Sequence, residues 1–473
     1  MIQIQEIAIH KMEMETRFPF RYGIAEMRRL PHVFVRVRVD ISGVEVVGTA
    51  ADHLPPRWFK KDPDQHPQDE IKEMFEVIRH AAKGAAGQKA DHVFGWWRSA
   101  YATQMEWATE VGVPPLLAHF GVTLVERALI EASARAAGQH FQEHLLSGGL
   151  GFDPASVHPE LKGFDWQATL GRPALRQVSL RHTVGLGDPV SREDILSEER
   201  VDDGLPQALD ESIRAYGLTH FKVKLCGQLD ADLERLAALN RCFEVHCKSG
   251  FRLSLDGNEQ FPDMAAFAKD WEQLYRAVPM LREQLLFVEQ PVLRTNALDA
   301  ESGRIEGLAG DPVVIIDESD AGIESLPKAL ELGYRGCSHK NCKGVFKGLA
   351  NRCLLTKREQ TDPDSRPLLM SGEDLANVGP QALLQDLCVQ AVLGIDDVER
   401  NGHHYFRGLS AFPNALNQRI VELHPDLYFS HPEGFASLQL RDGKLSIDSV
   451  NRAAFGVGAV WELDFAELDS VYV

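Results

Sequence analysis

Residues 285–319 read LLFVEQPVLRTNALDAESGRIEGLAGDPVVIIDES, and the fold is decided there. Two short apolar runs each end in a carboxylate, Glu289 and Asp317. Outward from this stretch the same unit recurs. QVSLRHTVGL, HFKVKLCG and RLSLDGN precede it; GCSHKNCKG, PLLMSGED and DVERNGHHYF follow. Between the runs lie helix candidates such as ADLERLAALNRCFEVH, DMAAFAKDWEQLYRAV, SLPKALELG and GPQALLQDLCVQAVLG. Strand–helix alternation of this length implies a parallel sheet. About eight such units over roughly 230 residues favour closure into a barrel over an open sheet.

A charge stands at the end of nearly every run. Lys222 and Lys224 lie in FKVK, Asp256 ends RLSLD, Lys340 follows in GCSHK and Glu373 in LLMSGE. From Lys224 through Asp256, Glu289, Asp317, Lys340 and Glu373 the intervals are 32, 33, 28, 23 and 33 residues. Each is close to one βα unit of roughly 30 residues. All of these groups therefore ring one barrel mouth, at the strand ends where barrel enzymes keep their active sites. Taken singly, each has a plainer reading: an acid after a strand is commonly a loop residue or helix N-cap, and KxK a solvated strand face. The regular spacing of six such groups favours one site.

The chemistry follows from the residue types. Three converging carboxylates repel one another unless a cation lies among them. Acidic oxygens without Cys or His donors suit a hard ion, Mg²⁺, with Mn²⁺ able to substitute. Lys222 and Lys224 share one strand face because side chains alternate with period two. Lys340 comes from the far side of the ring. Two lysines facing a metal-held substrate can act as paired acid and base if their pKa values fall toward neutrality.

Toward the ends of the chain the pattern changes. Residues 1–50 read as strands: MIQIQEIAIHKMEM alternates, and HVFVRVRVDISGVEVVGTA is a hairpin turning near Ser42-Gly43. Residues 66–138 read as helical, with apolar residues at three- and four-residue spacing. The opening is thus an α+β unit. The tail returns to hairpin chemistry around Asp442-Gly443 and is expected to pack back on the first domain. The expected division is a cap of residues 1–150 with a C-terminal return of 420–473, and a barrel of 175–415.

With Lys+Arg 50 against Asp+Glu 69, the 473-residue chain carries a net charge of −19. An acidic surface repels phosphate backbones and anionic membranes, which argues against nucleic-acid and membrane partners. The seven cysteines are odd in number and absent from the first 225 residues, so free thiols in a reducing cytosol are expected. The N-terminus has no continuous apolar region of a signal peptide. No window offers about eighteen uninterrupted apolar residues.

Several of these stretches together resemble the enolase superfamily, within it the muconate-lactonizing-enzyme-like subgroup (mandelate racemase/muconate lactonizing enzyme family in the broad sense). Lys222-Val223-Lys224, Leu255-Asp256-Gly257-Asn258, Val288-Glu289-Gln290-Pro291, Asp317-Glu318-Ser319 and Lys340-Asn341-Cys342-Lys343-Gly344 resemble its KxK, DxN, EQP, DES and KxxKxG motifs in order. The glycine of the last falls one place early. The resemblance implies a modified TIM barrel, (β/α)7β, under an α+β capping domain. It implies Mg²⁺ held by Asp256, Glu289 and Asp317, with Lys224 and Lys340 as acid and base and Lys222 as electrostatic support. Asn258 matches a polar residue of the metal rim, and Glu373 a carboxylate behind the far lysine. The basic stretch Arg17–His32 lies where the family's specificity loop would be. Its Arg21, with Arg17, Arg28 and Arg29, could read an anionic substrate or form a solvated loop. His403 and His404 fall where family members discriminate substrates.

The implied activity is removal of a carboxylate's α-proton to give a metal-stabilised enediolate, most simply in an isomerase (racemase, epimerase or cycloisomerase). The alternatives are an acid-sugar-type dehydratase or other lyase, and a metal-binding barrel without turnover. The expected partners are a small-molecule carboxylate and further copies of the chain, and the expected location is cytoplasmic.

Overall fold

The computed structural model describes residues 1–22, 25–362, 366–458, 463, 465 and 468–471. Three long strands, Ile2–Tyr22, Ala25–Ile41 and Val44–His53, form an antiparallel sheet in sequence order. In the first strand Ile2 and Ile4 are buried, and then Ile7 and Ile9. The pairing register slips between Ile4 and Glu6, and that bulge restores the apolar residues to one face. The turn at Ser42 and Gly43 has both φ values positive, +53° and +92°, as a tight two-residue hairpin demands.

The stretch Arg17–His32 is ordered ribbon on both its arms and not a free loop: Phe20 pairs with Met27 and Arg21 with Glu26. Gly23 and Ile24 lie outside the described residues. Three helices follow, Pro67–Ala85, Val93–Val111 and Pro115–Ala137. The middle one carries Trp96 and Trp97, which are both buried. The third is buried along most of its length, wedged between sheet and barrel. A side chain at Gly48 would overlap the Ala128 carbonyl, so the sheet can approach this helix closely at that point.

The eight barrel strands are Gln177–Val184, His220–Lys224, Arg252–Asp256, Leu285–Glu289, Val314–Ile315, Gly336–His339, Leu369–Gly372 and Asp397–Glu399. They correspond one for one to the apolar runs of the sequence. All neighbours are parallel; the eighth pairs with the first, and a single bridge, Ile316 to Cys337, joins the fifth to the sixth. The barrel is thereby nearly closed. Its crossover helices include Leu229–His246, Met264–Ala277, Val345–Thr361 and Gln381–Leu393. Among the described residues, no helix is long and apolar enough to cross a membrane.

The tail hairpin, though not the whole tail, departs from expectation. The hairpin at Asp442 and Gly443 (φ +51° and +69°) adds Lys444–Ser446 antiparallel to the first barrel strand, so it packs on the barrel and not on the first sheet. Leu445 and Ile447, fully buried there, supply the driving apolar surface. The chain reaches the first sheet only afterwards, where Asp469–Val471 pairs with Ile9–Lys11.

Candidate active site

The charged residues singled out at the strand ends converge at the C-terminal mouth of the barrel. Register does part of this directly: Lys224 stands beside Asp256, and Asp256 beside Glu289, on adjacent parallel strands. The loops after strands four and five are tied together by Gln290. Its side-chain Oε1 accepts from the main-chain amides of Asp317 (2.8 Å) and Ser319 (3.1 Å), and its Nε2 donates to the Ser319 hydroxyl and the Val292 carbonyl. A side chain at Gly257 would lie 2.5 Å from Pro291 Cα, which explains a glycine after Asp256.

Lys222 occupies the centre. Its Nζ lies 2.7–3.0 Å from carboxylate oxygens of Asp256, Glu289, Glu373 and Glu399. Burial works against its charge, but those four carboxylates outweigh burial and hold its pKa well above the ordinary lysine value. Lys224 donates to Asp256 Oδ2 at 2.6 Å. Lys340, from the opposite wall, lies 2.6 Å from Asp317 Oδ2 and 2.9 Å from Glu373 Oε2, with its ammonium 4.7 Å from the centre of the Trp58 ring. Burial is again overcome, here chiefly by Asp317 and Glu373, and Lys340 is held well above its usual range rather than near neutrality.

The carboxylates are not equivalent. Burial, reinforced by Asp256 and Glu373, raises Glu289 well above the normal range despite Lys222. Burial would raise Asp256, Asp317 and Glu373 too, but neighbouring ammonium groups pull all three down. Glu318, buried beside Asp317, Glu259 and Asp256, is pushed up to about 8.

Oxygens of Glu289, Asp317 and Glu373 lie within 4.8 Å of one another, a grouping able to hold a metal ion. Asp256, expected in the metal set, lies outside that grouping and faces Lys222 and Lys224. Acceptor capacity adds a second criterion, since a carboxylate offers about four lone-pair sites. Glu373 meets Ser371, Arg181, Lys222 and Lys340 and is saturated. Asp256 has three partners, Lys222, Lys224 and the Asn258 amide; Asp317 has Ser338, Lys340 and Lys343. Glu289 Oε1 is buried with no hydrogen-bond partner. Open acceptor sites thus remain on Asp256, Glu289 and Asp317, and this all-oxygen set fits a hard divalent cation.

Above this floor is a chamber of about 50 Å³, roofed by Phe20, Met27, Pro55, Trp58 and Leu375 and walled by Lys222, Lys224, Asn258 and Lys340. Asn258 turns its Nδ2 toward Glu318 at 3.5 Å and leaves a buried Oδ1 unpartnered. On the far side of Lys224 lies an open groove of about 1110 Å³.

Three of the sequence candidates fall elsewhere. Arg21 lines that groove, is half exposed and pairs with Glu26 at 2.9 Å. His403 and His404 are buried beside His182, whose Nδ1 is 3.1 Å from His403 Nε2, and burial drives both well below the usual histidine range. Neither lines the chamber. Conversely, Glu399, Arg181 and Trp58 belong to the site and were not singled out, and Lys343, named only as part of a motif, stands on Asp317. Glu399 had the same signal as the others, a carboxylate ending a strand. Arg181 is a charge inside an apolar run. Trp58 carried no signal, because its place depends on a non-repetitive segment crossing from the cap.

No family model and no curated protein matches the chain. Solved structures do. A mandelate racemase/muconate lactonizing protein from Herpetosiphon aurantiacus is 17% identical, with 96% of this chain and 97% of that chain covered at a TM-score of 0.59. An enolase from Bradyrhizobium complexed with magnesium and mandelic acid is 14% identical (94% and 93% covered, TM-score 0.57). Muconate lactonizing enzyme from Pseudomonas fluorescens complexed with muconolactone is 15% identical (94% and 94% covered, TM-score 0.58). The chain has the fold of these proteins, barrel and cap together.

Proposed function

We propose that this chain is a Mg²⁺-dependent enzyme that removes the α-proton of a small carboxylate and returns a proton at the same or a conjugated carbon, as an isomerase does. One observation carries the reading: the amines of Lys224 and Lys340 enter one chamber from strands two and six, across a floor of carboxylates. Asp256, Glu289 and Asp317, the residues with acceptor sites to spare, would hold the ion. When bound, it supplies positive charge for the substrate carboxylate and for the negative charge that develops as the proton leaves. Lys222, already surrounded by carboxylates, keeps that floor from self-repulsion and adds charge beside the substrate. Lys224 and Lys340 each serve one face of the α-carbon, one taking the proton and the other giving it; an ion drawing on Asp317 would relieve the negative charge that holds Lys340 high. The apolar roof excludes water from that exchange.

A lyase reading, a carboxylate dehydratase with a single active lysine, is favoured by the unequal surroundings of the two lysines. The experiment is solvent exchange: the protein with Mg²⁺ in D₂O, a panel of α-substituted carboxylates, and NMR detection of deuterium at the α-carbon. Exchange with both enantiomers of one substrate supports the isomerase. Exchange with one enantiomer and loss of the β-substituent supports the lyase. Undiminished Mg²⁺ binding with no exchange across the panel points to a barrel without turnover.

A further inference from the structure

The segment Leu54–His66 leaves the first sheet, crosses the barrel mouth and enters the helix Pro67–Ala85. Its outer part is tied to the cap by the Arg57 amide, which donates to Glu70, and by Lys60, which faces Glu73 at 3.5 Å, while the Arg57 guanidinium reaches the segment's own Pro63 and Gln65 carbonyls at 3.3 Å. Its inner part, carrying Trp58, is gripped from the barrel. Arg294, just beyond strand four, donates from Nη2 to the Trp58 carbonyl and from Nη1 to the Phe59 carbonyl, both at 2.8 Å.

That guanidinium is itself aimed. Glu259 accepts from Arg294 Nε at 2.8 Å and Nη2 at 2.7 Å, and also from the Arg294 amide at 2.8 Å. Glu259 is 3% exposed and stands at φ +62°, directly after Asn258 at φ +41°. Two consecutive non-glycine residues in the left-handed region persist only where their surroundings determine them. Lys61 of the same segment closes the circuit, donating to the Asn258 carbonyl and lying 3.7 Å from Glu259. The Asn258 amide in turn donates to Asp256 Oδ1 at 2.8 Å.

We propose that Arg294 and Glu259 are positioning residues that hold the Trp58 ring over Lys340 and couple that roof to the loop following Asp256. A planar fork is required, because two successive carbonyls must be met by two parallel N–H groups while the other edge meets a carboxylate. The inference goes beyond the proposed reaction and holds whatever the chamber converts.

The test uses the full chain with Arg294→Ala, Arg294→Lys and Glu259→Gln. Lysine keeps a charge beside Glu259 but cannot supply the fork. Two readouts report the segment locally: trypsin cleavage after Arg57, Lys60 and Lys61, followed by mass spectrometry, and acrylamide quenching of Trp58, isolated by subtracting each variant's Trp58→Phe counterpart. Losing hydrogen bonds to a charged group should speed cleavage at these three sites roughly tenfold or more and expose Trp58 to quencher, in Arg294→Lys as in Arg294→Ala. Glu259→Gln should follow in the same direction. Unchanged cleavage and quenching in folded Arg294→Lys would overturn the proposal. So would faster cleavage spread evenly over the chain, which marks general loosening. If Arg294→Ala does not fold, Arg294→Lys and Glu259→Gln still decide the matter.

Discussion

Lys224 and Lys340 reach the same chamber from opposite walls under different conditions. Lys224 is 8% exposed, has one carboxylate partner in Asp256, and borders the wide groove. Lys340 is 3% exposed, lies between two carboxylates and beneath an indole ring, and has Lys343 and Ser338 packed behind Asp317. The cap also buttresses that side: Glu126, in the buried helix Pro115–Ala137, accepts the Phe346 amide at the start of the helix after strand six. The difference teaches that opposed position alone does not make two lysines equal. One wall is open and lightly paired; the other is assembled from barrel and cap together.

The largest expected effect is on proton exchange. Removing a single general base costs roughly 10²–10⁴ in rate. Lys224→Ala and Lys340→Ala should therefore lose exchange from opposite enantiomers, each with little net turnover. Lys340→Ala should also lower the melting temperature more, because it takes a cation from two buried carboxylates at once. Loss of exchange in only one variant would break the symmetry of function as well as of setting and favour the lyase.

Next is the metal, which separates the walls by ligand. Glu289→Gln and Asp256→Asn should weaken Mg²⁺ binding, measured by calorimetry, by more than the roughly 10–100-fold usual for residues behind the ligands. Glu373→Gln, altering a saturated carboxylate on the Lys340 wall, should cost less. The reverse order for Asp256 and Glu373 would hand the third ligand to the Lys340 side, and undiminished binding in Glu289→Gln would sink the site.

The smallest effect is on stability against pH. Glu126 is raised from 4.5 to about 8, mainly by burial, against the opposing amides of Phe346 and Val345. The folded state therefore holds this proton more tightly than the unfolded state. The resulting stability is full below about 4.5 and is lost as pH rises toward 8. Glu126→Gln should remove that loss and melt a few degrees higher than the parent at pH 8, with the difference vanishing near pH 4.5, by calorimetry across the pH range. A constant difference at every pH would mean that Glu126 contributes packing and no titration.

Much of this was legible in the chain because it follows from local rules. Apolar runs of four to six residues became strands, and the residue ending each run faced the mouth, as with Asp256, Glu289 and Glu399. His403 and His404 are buried away from the chamber lining, because position after a strand end does not say whether the next turn faces the chamber or the wall. The tail hairpin was legible as a hairpin from Asp442-Gly443, but its docking partner was not, since either apolar surface could have received Leu445 and Ile447.

By itself the sequence determined the barrel, the cap and the ring of charges, because strand period, crossover length and glycine turns are enforced within a few residues. Tertiary structure alone decided which carboxylate meets which ammonium, that Lys222 sits at the centre, and that Trp58 roofs Lys340. Those outcomes rest on contacts between residues such as Lys222 and Glu399 or Trp58 and Arg294, far apart in the chain. Their energies depend on burial and on the full set of neighbouring charges, which exist only once the barrel has closed and the cap has settled on it.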